Sequence, residues 1–241
     1  MGLVENILKK IVLQNAIITM KEKLSESVYK IRLQSESIKK TQFTPGYFLR
    51  LGIGIGNDEL TIKDKVRSYS VWDINQTEGY IDLAIATDSN GIGAIWTKDC
   101  KVGDDVYFKW KKGNFIVDDS ADSYLMIGDL SALSHLYILN RGLLDKQVDS
   151  LVYHHNQNDF FDDINGKKPF NYYQFEENAI DKILPIVKQM ETKMKGEKMV
   201  YIAGDSRVCL VLNHYLRREL KWNTNQIKTK PFWNPDKKGL E

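Results

Sequence analysis

A chain of 241 residues is long for one hydrophobic core and comfortable for two domains of roughly 120 residues each. Its 42% hydrophobic and 27% charged residues are the balance of a globular protein in water, not of a disordered or membrane-embedded chain. The net charge of +2 sets up no global field that calls for nucleic acid, and no apolar run is long enough for a signal peptide or membrane span.

Residues 1–15 place Val4, Ile7, Leu8, Ile11 and Val12 at helical spacing, which predicts an amphipathic N-terminal helix. Residues 16–20 and 28–33 read as strands, and residues 47–53 form a third after the Pro45-Gly46 turn. Gly52, Gly54 and Gly56 imitate a dinucleotide loop, but no helix follows to bind a phosphate, so they are assigned to a bulge or hairpin end. In Arg67-Ser68-Tyr69-Ser70-Val71-Trp72 the period-two alternation puts Arg67 and Tyr69 on one face of a strand. That offers a fork of donors for a diphosphate, a flat ring for stacking and a small hydroxyl for a ring nitrogen. The same letters also fit an ordinary half-exposed strand.

Residues 80–87 form another strand, and residues 88–91 a turn. Residues 93–98 are a short helix whose first amides are open to an anion, and residues 106–110 a sixth strand. Six short antiparallel strands and one short helix imply a Greek-key barrel over residues 16–117. From residue 118 strands and helices alternate. Strands are expected at 124–127, 151–154, 171–175, 199–203 and 227–230, and helices at 131–140 and 208–220. A further helical stripe runs from Ile180 to Met194 and is interrupted at Pro185. This is a doubly wound parallel sheet. Ser131 is expected to cap its first helix, and Gly204-Asp205-Ser206 its last. Cys100 and Cys209 have no metal-type spacing and suit a reducing, cytoplasmic setting.

A series of segments then falls in a telling order. Phe43-Thr44-Pro45-Gly46-Tyr47-Phe48-Leu49-Arg50-Leu51 comes first, then the Arg67 strand, Asn90-Gly91-Ile92-Gly93-Ala94 and Lys101-Val102-Gly103-Asp104. Gly128-Asp129-Leu130-Ser131-Ala132-Leu133, Ala203-Gly204-Asp205 and Pro231-Phe232-Trp233 complete it. In this order they resemble the siderophore-interacting proteins, the ferric-siderophore reductase branch of the ferredoxin–NADP reductase superfamily. The resemblance runs from residue 16 over nearly the whole chain.

The resemblance implies an FAD-binding barrel domain with its N-terminal helix over residues 1–117 and an NAD(P)H-binding α/β domain over residues 118–241. Arg67 would pair with the FAD pyrophosphate, which Gly91, Gly93 and Ala94 approach through backbone amides. Tyr69 would cover the isoalloxazine and Ser70 approach its N5, these two serving as catalytic residues with Ser68 beside them in the cofactor site. Gly128, Asp129 and Ser131 would meet NADPH, and Arg50 and Lys112 would dock an anionic ferric siderophore that FAD reduces, releasing ferrous iron.

Several positions depart from the family pattern. Val71-Trp72 stand where a second arginine is common, Thr87 where a histidine is, and Leu130 and Ser134 where a glutamate and a proline are. Asn234 replaces a tail cation, with Lys237 and Lys238 nearby as substitutes. His154-His155-Asn156 ends its strand without an adjacent carboxylate to grip a ribose 2′-hydroxyl, which leans toward NADPH over NADH. The two histidines fit solvent-facing strand ends equally well, and as neighbours on a strand they make a poor metal pair. Two other readings stay open: a flavoprotein exchanging electrons with a ferredoxin-like protein, and a degenerate, non-enzymatic binding module. Neither nucleic acid nor membrane is expected as a partner.

Overall fold

The computed structural model describes residues 14–54, 60–61, 64–175 and 179–236. The expected N-terminal helix, Gly56, Lys237 and Lys238 lie outside the described residues. The chain divides into two compact units, one ending at Asn114 and the other beginning at Phe115.

The first unit is an antiparallel barrel of β1 (Gln14–Lys23), β2 (Val28–Gln34), β3 (Phe48–Gly52), β4 (Val66–Ser70), β5 (Asp73–Asn75), β6 (Tyr80–Ala86) and β7 (Asp105–Lys111). Helix α1 (Glu36–Lys39) follows β2, and α2 (Ile92–Asp99) lies between β6 and β7. The strand order is β4-β3-β7-β1-β2-β6-β5, and every pair is antiparallel. Alternation puts Ile18, Ile31, Leu33, Leu49, Leu51, Ile81, Leu83 and Phe108 at 0% exposure inside.

The sequence suggests one strand over 67–72, yet the chain bends there. Val71 and Trp72 are both buried, which a flat strand with period two does not allow. The Trp72 N–H donates to the Asp82 carbonyl at 2.9 Å. One length of chain thus serves as β4 at one edge of the sheet and as β5 at the other, and so closes the barrel. Beside this bend the buried Asp82 carboxylate takes both forks of Arg32 at 2.7 Å.

The second unit holds a parallel sheet in the order β10-β9-β8-β11-β12, with β8 at Ser123–Asp129, β9 at Gln147–His154, β10 at Tyr172–Gln174, β11 at Lys198–Asp205 and β12 at Ile227–Trp233. A 3-10 turn (Leu130–Ala132) leads into α3 (Leu133–Arg141); α4 (Ile180–Glu191) precedes β11, and α5 (Ser206–Arg218) follows it. Every residue of β8 is buried, as a central parallel strand covered on both faces requires. Val187, Met190, Cys209 and Leu212 from α4 and α5 pack on Leu125, Leu151 and Ile202 of the sheet. Pro185 does not end α4: it is exposed, so the carbonyl it leaves without an N–H partner faces solvent. Between β9 and β10 no α-helix forms. That crossover is held by rings: the Tyr137 hydroxyl donates to the Phe161 carbonyl at 2.6 Å, and Phe170 stacks on Tyr137 with centroids 5.2 Å apart.

The strand order reverses between β8 and β11, and their carboxyl ends are joined by one side chain. Asp129 Oδ1 accepts from the Ser131 N–H at 2.9 Å and the Ser131 hydroxyl at 2.5 Å. Its Oδ2 accepts from the Asp205 N–H at 2.7 Å and from Trp233 Nε1 at 2.8 Å. Asp129, not Ser131, is therefore the cap of the first helical turn. Gly204 lies across from it with φ +113°, and a Cβ there would stand 2.3 Å from Asp129 Oδ2. Gly204→Ala should accordingly destabilise this unit by about 2–5 kcal/mol, combining left-handed strain with a steric clash, and urea unfolding monitored by circular dichroism measures it.

His135 on α3 supplies a pH dependence. It is fully buried, its Nε2 lies 3.3 Å from the Phe115 carbonyl, and burial together with Lys230 pushes its pKa down to about 3. In the unfolded chain the imidazole titrates near ~6.5, so below that pH the unfolded state binds the extra proton. Stability should be complete above ~6.5 and fall as the pH drops toward 3. Going from pH ~7.5 to ~5 should remove about 2 kcal/mol, and His135→Gln should flatten that part of the profile in urea titrations at the two pH values.

Candidate functional site

The first cluster forms where β4 meets the start of α2. Register pairs Leu51 with Arg67 and Leu49 with Tyr69, which puts Arg67 and Tyr69 on one side of β4 and Ser68 and Ser70 on the other. A Cβ at Gly93 would stand 2.5 Å from the Tyr69 hydroxyl oxygen and 3.8 Å from Arg67 Cγ, so only glycine lets the helix come this close. The Trp96 ring, one turn further on, has its centroid 6.1 Å from that of Tyr69. Helix α2 opens at Gly91 with no side-chain cap and no acid in its first turn, and Ala94 is buried beneath it. Its early amides and dipole therefore favour an anion beside Arg67. Arg67 is steadied locally: Nη1 donates to the Val66 carbonyl at 2.7 Å, and Nη2 lies 3.5 Å from Asp64 Oδ1. A guanidinium, a ring and a helix start that only glycine keeps open suit the diphosphate and flat ring of FAD.

The opposite side of β4 continues onto β3 and β7. Ser68 stands across from Arg50, and Ser70 across from Phe48; Arg50 also faces Lys109. Lys112 is exposed just beyond β7, at the end where β3 begins. Among the described residues no carboxylate pairs with Arg50, Lys109 or Lys112, and Arg50 Nε is buried without a hydrogen-bond partner. The face is cationic, and Ser70 belongs to it rather than to the side that carries Tyr69.

The second cluster is the crevice at the ends of β8 and β11. Burial raises the Asp129 pKa above the usual carboxylate range, and the donors from Ser131, Trp233 and Asp205 act against that rise. With four donors its carboxylate is committed to the protein. Gly128 has a packing reason, since a Cβ there would lie 3.0 Å from each of Ala132 Cβ, Leu136 Cδ1 and the Ala203 carbonyl oxygen. Asp205 caps α5 through the Arg207 N–H at 2.9 Å and pairs with the Arg207 guanidinium at 2.7 Å. At the end of β9 the structure brings up an acid that is not adjacent in sequence: Asp159 Oδ2 lies 3.4 Å from His154 Nε2, both groups buried.

The departures from the family pattern have local roles. The Thr87 hydroxyl donates to the Ser27 carbonyl at 2.9 Å, Leu130 is buried, and Asn234 Nδ2 donates to the Ser206 hydroxyl at 2.6 Å. Sequence reasoning missed the Asp129–Trp233 tie and the matching role of Gly204. The available signal was a repeat: β8 and β11 both end in Gly-Asp, at 128–129 and 204–205. Among the described residues no helix is long and apolar enough to cross a membrane.

Residues 15–116 match the family model described as an oxidoreductase FAD-binding domain, and residues 121–236 match that of the siderophore-interacting proteins. No curated protein matches the chain in sequence. Among solved structures, the siderophore-interacting protein from Acinetobacter baumannii superposes with a TM-score of 0.80 at 15% identity, over 95% of this chain and 93% of that one. A siderophore utilization protein from T. fusca gives 0.77 at 14% identity, over 95% of each chain. Phthalate dioxygenase reductase, a modular protein for electron transfer from pyridine nucleotides to [2Fe-2S], gives 0.68 at 14% identity, over 91% of this chain and 68% of that one. At such identities the likeness is one of fold: the ferredoxin reductase-like pairing of an antiparallel barrel with a parallel sheet. The two matches thus fall in order along the chain, the oxidoreductase FAD-binding model over the barrel strands and the siderophore-interacting protein model over the parallel sheet.

Proposed function

We propose that this protein is a cytoplasmic, FAD-dependent reductase that passes electrons from NADPH through FAD to a ferric siderophore or similar chelate, releasing ferrous iron. The observation that carries the reading is the meeting of Arg67, Tyr69 and Gly93 at the uncapped start of α2. Bound there, FAD supplies the redox chemistry, taking a hydride and giving up electrons singly. Arg67 and the first amides of α2 hold the diphosphate. Tyr69 covers one face of the ring and keeps water from it, while Ser70, at the strand end, lies with Ser68 on the cationic face. Arg50 and Lys112 draw an anionic ferric chelate toward that face, so no acid–base pair or covalent intermediate is required of the chain. Gly128, Asp129 and Ser131 shape the nucleotide crevice, Asp129 by tying its strands together rather than by touching the ligand.

A second reading, electron exchange with a ferredoxin-like protein, is favoured by one observation: in the crevice the Trp233 and Asp205 N–H donors are already spent on the Asp129 carboxylate rather than left for a nucleotide.

The flavin site is tested by titrating apoprotein with FAD. Arg67→Ala should weaken binding about 10- to 150-fold, the loss of one charge-assisted hydrogen bond, while the melting temperature stays near that of the wild type. Gly93→Ala should weaken it as well, because the added methyl displaces the Tyr69 hydroxyl. Unchanged FAD affinity in both folded variants would overturn the site. For the acceptor, the double substitution Arg50→Gln, Lys112→Gln should lower kcat/KM for anionic ferric chelates and leave flavin reduction by NADPH nearly intact. That loss should shrink at high salt, since exposed charges are screened within ~8–10 Å, and a neutral chelate should respond far less. Equal losses for the two chelates would point instead to a protein partner.

A further inference from the structure

The end of β12 does not run off the sheet edge; it turns back over the crevice. Pro231 pairs with Gly204, but Trp233 pairs with Asp205, so Phe232 is an extra residue in a bulge. A bulge re-aims the side chain that follows it. Here it delivers the Trp233 indole to Asp129 Oδ2 at 2.8 Å, on the far side of β11. The next residue is fixed too, since Asn234 Nδ2 reaches the Ser206 hydroxyl at the start of α5 at 2.6 Å.

Two side-chain ties thus hold a short strap across the carboxyl ends of β8 and β11. That is the place where an open parallel sheet binds its ligand. Phe232 anchors the strap at its middle, edge-on to His135 with centroids 5.7 Å apart, but its flanks are open: Trp233 is 40% exposed despite its size, and Pro231 and residues 235–236 are exposed as well. A groove of about 590 Å³, lined in part by Arg207, Leu210, Pro231 and Asn234, lies beside it and leaves room for it to move. Asp129 would keep three of its four donors if the indole left, so opening gives up that charged hydrogen bond and the Asn234–Ser206 tie but leaves no buried unpaired acid.

We propose that residues 231–234 form a gate over the nucleotide crevice, with the Trp233–Asp129 hydrogen bond as its catch, and that a pyridine nucleotide binds only when the catch is released. The inference rests on the crevice being a nucleotide site. A closed gate lowers apparent affinity by the fraction of molecules that are open. Trp233→Phe keeps a ring and removes the N–H, so it should tighten the Kd for NADP⁺ about 10- to 100-fold, the factor set by one hydrogen bond to a carboxylate. Asn234→Ala, a milder change at the surface, should tighten it several-fold and guards against misfolding of the first variant.

Both variants and the wild type, loaded with FAD, would be titrated with NADP⁺ in a calorimeter, and backbone hydrogen exchange over residues 227–234 followed without nucleotide. Tighter binding together with faster exchange in the variants supports the gate. Binding of equal strength in all three proteins overturns the gate and leaves the nucleotide reading standing. Absence of binding in all three overturns the nucleotide reading, and the gate with it.

Discussion

The carboxylate of Asp129 settles how the second unit is built. A parallel sheet that reverses its order leaves an opening between two strand ends, and each of those strands runs straight into a helical turn with unpaired N–H groups. Asp129 caps the first through Ser131, holds Asp205, which caps the second, by its N–H, and then takes the indole N–H of Trp233 from a third strand. Removing a carboxylate from water costs several kcal/mol unless its lone pairs are met, and here four donors meet them. Other local features follow from that choice. Gly204 must lack a side chain and adopt φ +113°, β12 must bulge, and Asp205 must turn outward to Arg207.

The first unit uses the same physical device and leaves it open. Helix α2 also begins with unmet amides, yet its first turn carries no acid and its cap is a glycine. A cation of the same sign as the helix start stands beside it, since a Cβ at Gly93 would lie 3.8 Å from Arg67 Cγ. The helical turns after β8 and β11 are capped by the chain's own carboxylates, Asp129 and Asp205, whereas α2 has no side-chain cap. The proposed function draws on that contrast, giving the barrel the tightly held anionic cofactor and the crevice of the second unit a ligand that comes and goes.

What the sequence made legible was whatever depends on neighbours along the chain. Period-two alternation found the barrel strands, the unbroken apolar run at 124–127 found the centre of the parallel sheet, and the glycines at 91 and 93 marked the helix start. It failed where the deciding atom is remote. Val71-Trp72 continues a strand on paper, and only the closure of the barrel makes both residues turn inward. Gly128 invites a ligand-approach reading, but its constraint is set by Leu136 and Ala203. Ser131 has the right chemistry for a cap, and Asp129 two residues earlier has it too; only three-dimensional reach to Asp205 and Trp233 selects the latter. The acid beside His154 comes from a 3-10 turn that no local pattern announces.

Charge arrangement then ties these local facts to electron transfer. Asp82 is enclosed by Arg32 and Lys30, and Asp163 is paired with Arg141, so these two buried acids are met by cations of their own. Arg50 and Lys109 face each other on adjacent strands, and among the described residues no acid pairs with either, an arrangement that costs stability. Placing a cationic pair one strand away from Ser70, at the motif that carries Tyr69, makes sense if the missing counter-charge arrives with an electron acceptor. The proposed function, which leaves the chemistry to a cofactor, asks little else of the chain: one anion held firmly, a second admitted through a crevice, and a third met at an exposed face. The three places differ in how far their donors are already satisfied, from open at α2, through half-filled at the crevice, to unpaired at β3 and β7.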